Sequence, residues 1–179
     1  ERYAAKRCHM IVCVADAMRD QALAAGIGRR EQYVTVYSGM EVERYLTPDV
    51  PRDTMRAELG FDDDDVVLGT VARLAELKGH DDLLDALGPV LHENPRLKLL
   101  WVGDGWWRDR LLGRVKEMGL DGRVITTGLV PSEHIPRHLH AMDIVAHPSY
   151  REGLPRAVTQ ALLSGRPAVA YDVDGTREV

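Results

Sequence analysis

The chain has 179 residues, 45% of them hydrophobic and 28% charged, with 16 glycines and 9 prolines. That composition suits a globular protein with a real core and excludes collagen-like, low-complexity and wholly disordered classes. Lys and Arg total 23 against 28 Asp and Glu, a net charge of −5 with no basic block, which argues against a nucleic-acid partner or a broad anionic-lipid footprint. Any anion must then be met locally.

In chain order, Met10 to Val14 predicts a strand, Asp16 to Ala25 a helix and Tyr33 to Val36 a second strand. With little apolar surface of its own, the segment 1–37 is expected to be the end of a preceding domain. Ser38-Gly39-Met40 then reads as a hinge and Thr47 to Pro51 as a connecting turn, so that 38–179 forms the main domain. Cys8 and Cys13 are too few for a disulfide framework, which predicts a reducing, cytoplasmic setting. No apolar run approaches the roughly 20 residues that span a bilayer. The chain opens on Glu1 and ends at Val179 without a polar tail, as a piece of a longer protein would.

From residue 66 onward, short apolar runs alternate with amphipathic segments of helical length. Val66 to Val71, Leu97 to Val102, Val124 to Thr126, Asp143 to Ala146 and Ala168 to Ala170 read as five buried parallel strands. Between them, Leu83, Leu84, Leu87, Val90 and Leu91 recur at helical spacing, as do Leu111, Leu112, Val115 and Met118. Ile135, Leu139 and Met142, then Val158, Ala161 and Leu162, complete four helices. Strands alternating with crossover helices require an α/β, doubly wound parallel sheet of Rossmann-like type, which binds ligands at the carboxyl ends of its strands.

Three loops at those ends carry candidate chemistry. Arg73 and Lys78 follow the first main strand and precede a helix, an anion site in outline, or equally a solvated loop in which Arg73 pairs with Glu76. Gly103-Asp104-Gly105 permits a tight turn and close backbone approach, but Arg108 stands where a dinucleotide fingerprint needs a third glycine. NAD is therefore disfavoured, and no P-loop occurs. His147 through Arg156 follows the fourth strand. Glu152 there either accepts sugar hydroxyls, with the N–H groups around Gly153 and Leu154 facing a phosphate, or merely complements a helix dipole.

These residues, in this order, resemble the carboxy-terminal, donor-binding half of retaining glycosyltransferases of the GT-B fold, in family 4, the glycosyl transferases group 1. The ordered set is Gly69 to Arg73, Lys78-Gly79, Val102 to Gly105 with Arg108 and Leu111, Thr127 to Val130, Pro148 to Arg156, Ala161, Gly165 to Pro167 and Asp172 to Gly175. The resemblance implies that Arg73 and Lys78 hold the donor diphosphate and that Glu152 holds the sugar. It places Gly103, Gly105, Leu129, Val130, Gly153 and Leu154 around a nucleotide diphosphate sugar, UDP- or GDP-linked. Where the family has a second glutamate, for the ribose, this chain has Gln160, which retains one carbonyl acceptor and loses the charge.

The implied activity is hexosyl transfer with retention, without cofactor or metal. The acceptor, carbohydrate or lipid-linked, and any peripheral membrane contact would belong to the amino-terminal domain, so the chain by itself should be inactive. A sugar-nucleotide epimerase, a sugar phosphorylase and a non-catalytic sugar-nucleotide-binding module remain alternatives of the same architecture. His134, His138 and His140 read as surface polar residues rather than metal ligands, and Asp62 to Asp65 as a solvated turn. Of Trp106 and Trp107, one ring is expected in the core and the other against the absent domain.

Overall fold

The computed structural model describes residues 1–179. A short helix α1 (Arg2–Ala5) leads to β1 (Ile11–Cys13), α2 (Asp16–Ala24) and β2 (Tyr33–Thr35). The two strands pair in parallel, Ile11 opposite Tyr33, as a sheet of their own. Residues 36–41 have no regular structure.

Two helices follow that the apolar pattern does not announce, α3 (Val42–Leu46) and α4 (Arg52–Glu58). The segment of α4 holds one large apolar residue, Met55, so it shows no stripe. Polar contacts dock it instead. Arg56, 3% exposed, donates to the carbonyls of Ala141 (3.1 Å), Asp62 (2.8 Å) and Asp65 (2.6 Å), while Arg52 pairs with Asp143 at 2.6 Å. Such interactions leave no periodic mark in a sequence.

The main unit then runs β3 (Val66–Val71), α5 (His80–Glu93), β4 (Leu97–Val102), α6 (Arg108–Glu117), β5 (Val124–Gly128), α7 (Ile135–Ala141), β6 (Ile144–His147), α8 (Arg156–Leu163) and β7 (Ala168–Ala170). Its five strands are all parallel, in the order β5-β4-β3-β6-β7. The expected sheet is therefore present, with one difference. Only the central strands are deeply buried, for Val169 on the edge strand β7 is 68% exposed.

Alternation along β4 sorts the core into two layers. Leu99 and Trp101 point to the layer of Leu84, Leu91, Leu111 and Val115 under α5 and α6. Leu100 and Val102 point to the other, with Leu139, Met142, Ala161 and Tyr45 from α7, α8 and α3. Each fully buried leucine contributes roughly 1.5–3 kcal/mol by leaving water. Both faces being covered, the free space lies at the carboxyl ends of the strands. There β3 connects to β4 on one side while β6 lies on the other, the switch point at which such sheets bind ligands.

Candidate functional site

Two adjoining features occupy that edge. The first is a cleft of about 230 Å³ over β3, β4 and β5, lined by Arg73, Gly103, Asp104, Leu129 and Val130 among others. Gly103 has φ 139, and a Cβ there would lie 2.2 Å from the carbonyl oxygen of Ala72, so the two loops touch only because this residue lacks one. Next to it, Asp104 Oδ1 accepts from the backbone N–H of Gly105 at 2.7 Å and shapes the turn into α6. Leu129 stands on the rim, 85% exposed.

Arg73 forms no ion pair with Glu76. Its guanidinium lies 5.4 Å from the centre of the Trp106 ring, and Trp106 is itself 71% exposed. The tandem tryptophans divide their work accordingly. Trp107 packs on the core layer under α5 and α6 with Arg110 4.3 Å above its ring, and Trp106 stands beside the Arg73 guanidinium.

The second feature lies between the ends of β3 and β6. Gly79, with φ 68, turns the chain into α5 and leaves Lys78 facing the loop after β6. Lys78 Nζ is 2.6 Å from Glu152 Oε1 and 3.2 Å from Ser149 Oγ. His147 Nε2 is 2.9 Å from the same Glu152 oxygen. The backbone N–H of Glu152 donates to Asp174 Oδ2 at 2.7 Å, and Asp174 is the one non-glycine residue with positive φ, 47.

Burial pushes the Glu152 carboxyl up, but the hydrogen bonds from His147 and Lys78 and the Lys78 charge outweigh it and hold the group at about 2. Glu152 is thus a carboxylate at neutral pH. It lies ahead of α8 and bonds to side chains across the crevice, so it does not serve as a helix-dipole residue.

The remaining candidates sit around this pair. Gly153 accepts at its carbonyl from Gly175 N–H at 3.1 Å and abuts Val14 and Met18 of the amino-terminal unit. With Glu152 and Asp174 it borders a larger, mostly apolar groove of about 860 Å³ against β1 and α2. Leu154 is half-buried beside Pro155, where α8 begins. Gln160, on α8, donates to the Tyr45 hydroxyl at 2.7 Å.

Lys78 and Glu152 therefore meet directly, whereas Arg73 occupies the neighbouring cleft with Gly103, Leu129 and Val130. Sequence reasoning singled out neither His147 nor Asp174 as site residues. The first carried one signal, its place at the end of a strand ahead of the loop; the second lay in the Asp172 to Gly175 stretch of the ordered set, but nothing in the sequence tied it to Glu152, 22 residues away.

Of the three histidines expected at the surface, His138 is buried while His134 and His140 are half-buried. His138 is buried and its Nδ1 lies 2.8 Å from the carbonyl of His134, while His140 Nε2 is 2.8 Å from the carbonyl of Tyr45. No three His, Cys, Asp or Glu side chains lie close enough together to share a metal ion. The acidic run is a turn in which Asp65 Oδ2 accepts from Asp62 N–H at 3.0 Å.

Comparison with known proteins places the chain in a family. The glycosyl transferases group 1 family profile matches residues 51–179. The 2-deoxystreptamine glucosyltransferase of Streptomyces kanamyceticus is 28% identical over 177 residues, covering 98% of this chain and 46% of that protein. The D-inositol 3-phosphate glycosyltransferase of Nocardia farcinica is 33% identical over 153 residues, 82% of this chain and 34% of that one. Among solved structures, Anabaena Alr3699/HepE in complex with UDP-glucose superposes with a TM-score of 0.86 at 28% identity, over 96% of this chain and 47% of its own.

The chain spans about half the length, or less, of these relatives. With a doubly wound sheet whose strand ends carry a cation-lined cleft beside a lysine–glutamate pair, and a profile match over most of its length, the chain belongs to the glycosyl transferases group 1 family, as a Rossmann-like half of the GT-B architecture.

Proposed function

We propose that this chain is the donor-binding half of a retaining hexosyltransferase that takes a nucleotide diphosphate sugar and passes the sugar to an acceptor held by an amino-terminal domain. The observation that carries the reading is the Lys78–Glu152 contact of 2.6 Å, beside the cleft that holds Arg73. A diphosphate needs fixed cations, a sugar needs a charged acceptor for its hydroxyls, and here the two needs are met side by side. Val130 and Leu129 would border the base, and Gln160 the ribose.

As the bond between the anomeric carbon and the phosphate oxygen breaks, negative charge grows on the departing diphosphate. Lys78 and Arg73 then stabilise the transition state more than the bound donor, which is what lowers the barrier. Glu152 orients the sugar. In this reading side-chain cations, rather than a divalent metal, meet the diphosphate charge, and no cofactor takes part. A UDP-sugar is the first donor to test, because the HepE structure of similar fold holds UDP-glucose. A cytoplasmic location is part of the proposal, supported by the free thiols of Cys8 and Cys13.

Calorimetric titration of the chain with UDP, UDP-glucose and GDP tests this. Each charge-assisted contact is worth roughly 1.5–3 kcal/mol, so Arg73→Ala and Lys78→Ala should each weaken binding about 10- to 100-fold. Absence of binding by the wild type, or unchanged affinity in both variants, would refute the reading.

A further inference from the structure

The Glu152 carboxylate is held twice, and at one oxygen. Lys78 Nζ at 2.6 Å and His147 Nε2 at 2.9 Å both meet Oε1. A carboxylate only accepts, so His147 carries its proton on Nε2 in this contact. Both of these contacts are on Oε1.

The two holders differ in how firmly they are fixed. His147 is the last residue of β6, with its side chain 6% exposed and its carbonyl accepting from Tyr171 N–H at 3.3 Å. Lys78 sits on a four-carbon flexible stem, is 27% exposed, and has only the Ser149 hydroxyl as its second contact.

A bound diphosphate competes for an ammonium and has no claim on the imidazole of a strand-end histidine already donating to a carboxylate. Once Lys78 turns to the diphosphate, Glu152 loses its closest partner while its own side chain is 13% exposed. A desolvated carboxylate without a partner is costly and free to rotate.

We propose that His147 is a positioning residue for sugar recognition, retaining Glu152 in place when Lys78 is handed over from the carboxylate to the donor diphosphate. In the ligand-free protein Lys78 and His147 share Glu152 beside the Ser149 hydroxyl; with donor bound, Lys78 serves the phosphates and His147 is the remaining N–H donor to Glu152. The inference rests on the donor-site reading above. It makes a distinction that a merely structural role would not, because His147 then matters more to the sugar nucleotide than to the nucleoside diphosphate alone.

The experiment compares affinities of wild type, His147→Gln and His147→Phe for UDP against UDP-glucose, and for GDP against GDP-mannose. For whichever pair the wild type binds, His147→Phe should weaken the nucleoside diphosphate several-fold, because Lys78 can then leave Glu152 only by stranding a desolvated carboxylate, and should weaken the sugar nucleotide about tenfold more. His147→Gln, which keeps a side-chain N–H donor, should recover most of that loss. Equal weakening of both ligands, no change in either, or no recovery by glutamine would overturn the assignment. Failure of the wild type to bind any of the four overturns the donor-site reading itself, an outcome distinct from a variant that binds both ligands equally poorly.

Discussion

The Gln160 side-chain amide donates to the Tyr45 hydroxyl at 2.7 Å and so ties α8 to the short helix α3. This contact uses the nitrogen of the amide and leaves its carbonyl oxygen as the single acceptor for the ribose hydroxyl that the proposed donor would bring. A carboxylate at 160 would take the Tyr45 hydroxyl on one oxygen and the ribose on the other, with a charge-assisted bond roughly twice as strong as a neutral one. Gln160→Glu is therefore expected to tighten UDP-glucose binding about 3- to 10-fold by calorimetry. Unchanged affinity would show that the carbonyl already does all the position can do.

The Arg73–Trp106 contact predicts a smaller effect. Cation–π pairing at an exposed site is worth about 0.5–1 kcal/mol, here by holding the guanidinium at the mouth of the cleft. Trp106→Ala should weaken UDP about 2- to 5-fold, and Trp106→Phe should restore most of it. If the alanine variant binds as tightly as wild type, Arg73 does not depend on the ring.

Acid should destabilise the fold in two separate windows. Burial of His80 against Trp101, ring centres 5.1 Å apart and both imidazole nitrogens without a partner, pushes its pKa from 6.5 down to about 4. The unfolded chain then takes up the proton first, so the His80 share of stability is complete above 6.5 and is lost as pH falls toward 4. Between pH 7 and 5 this amounts to about 2 kcal/mol, at roughly 1.4 kcal/mol per pH unit. Glu152 acts lower, because its pKa falls from 4.5 unfolded to about 2 folded, and its share is lost only below 4.5. Urea midpoints should fall more steeply between pH 7 and 5 in wild type than in His80→Phe, where the buried His138, its pKa also lowered by burial, leaves a smaller slope of the same sign; a parallel fall in both would exclude His80 as a cause.

Asp174 supports the site from below. Its two oxygens accept from Gln21 Nε2 and from the backbone N–H of Glu152, each at 2.7 Å, on a backbone with φ 47. Asparagine tolerates that conformation and keeps one acceptor, whereas alanine does neither. Asp174→Ala should cost about 2 kcal/mol and Asp174→Asn less than about 1 kcal/mol in denaturant unfolding. Equal costs would mean that loss of the carboxylate, not the backbone conformation that asparagine tolerates, sets the penalty.

What could be read along the chain was whatever repeats at short range. Leu99, Leu100, Trp101 and Val102 make an apolar run bounded by a glycine turn, and that is enough to mark a buried strand. Helices α5, α6 and α8 show their stripes because each buries one face, and alternation of strand with crossover helix dictates a parallel sheet. The same rhythm points to loops at strand ends, which is why Lys78 and Glu152 were legible as candidates. Helix α4 was not, because Arg52 and Arg56 dock it on the carbonyls and carboxylate of residues near 140, and such partners follow no period.

The order of strands, and hence which loops adjoin, is decided only by packing. Strand β6 pairs with β3 across more than seventy residues of chain, and this brings Glu152 and His147 against Lys78 while setting Arg73 in the cleft over β4 and β5. Burial of an amphipathic face is a local property that a sequence carries in its periodicity. A hydrogen bond between residues distant in the chain exists only once the core has chosen its layers, so the proton on His147, the charge on Glu152 and the tether on Asp174 belong to the folded molecule alone.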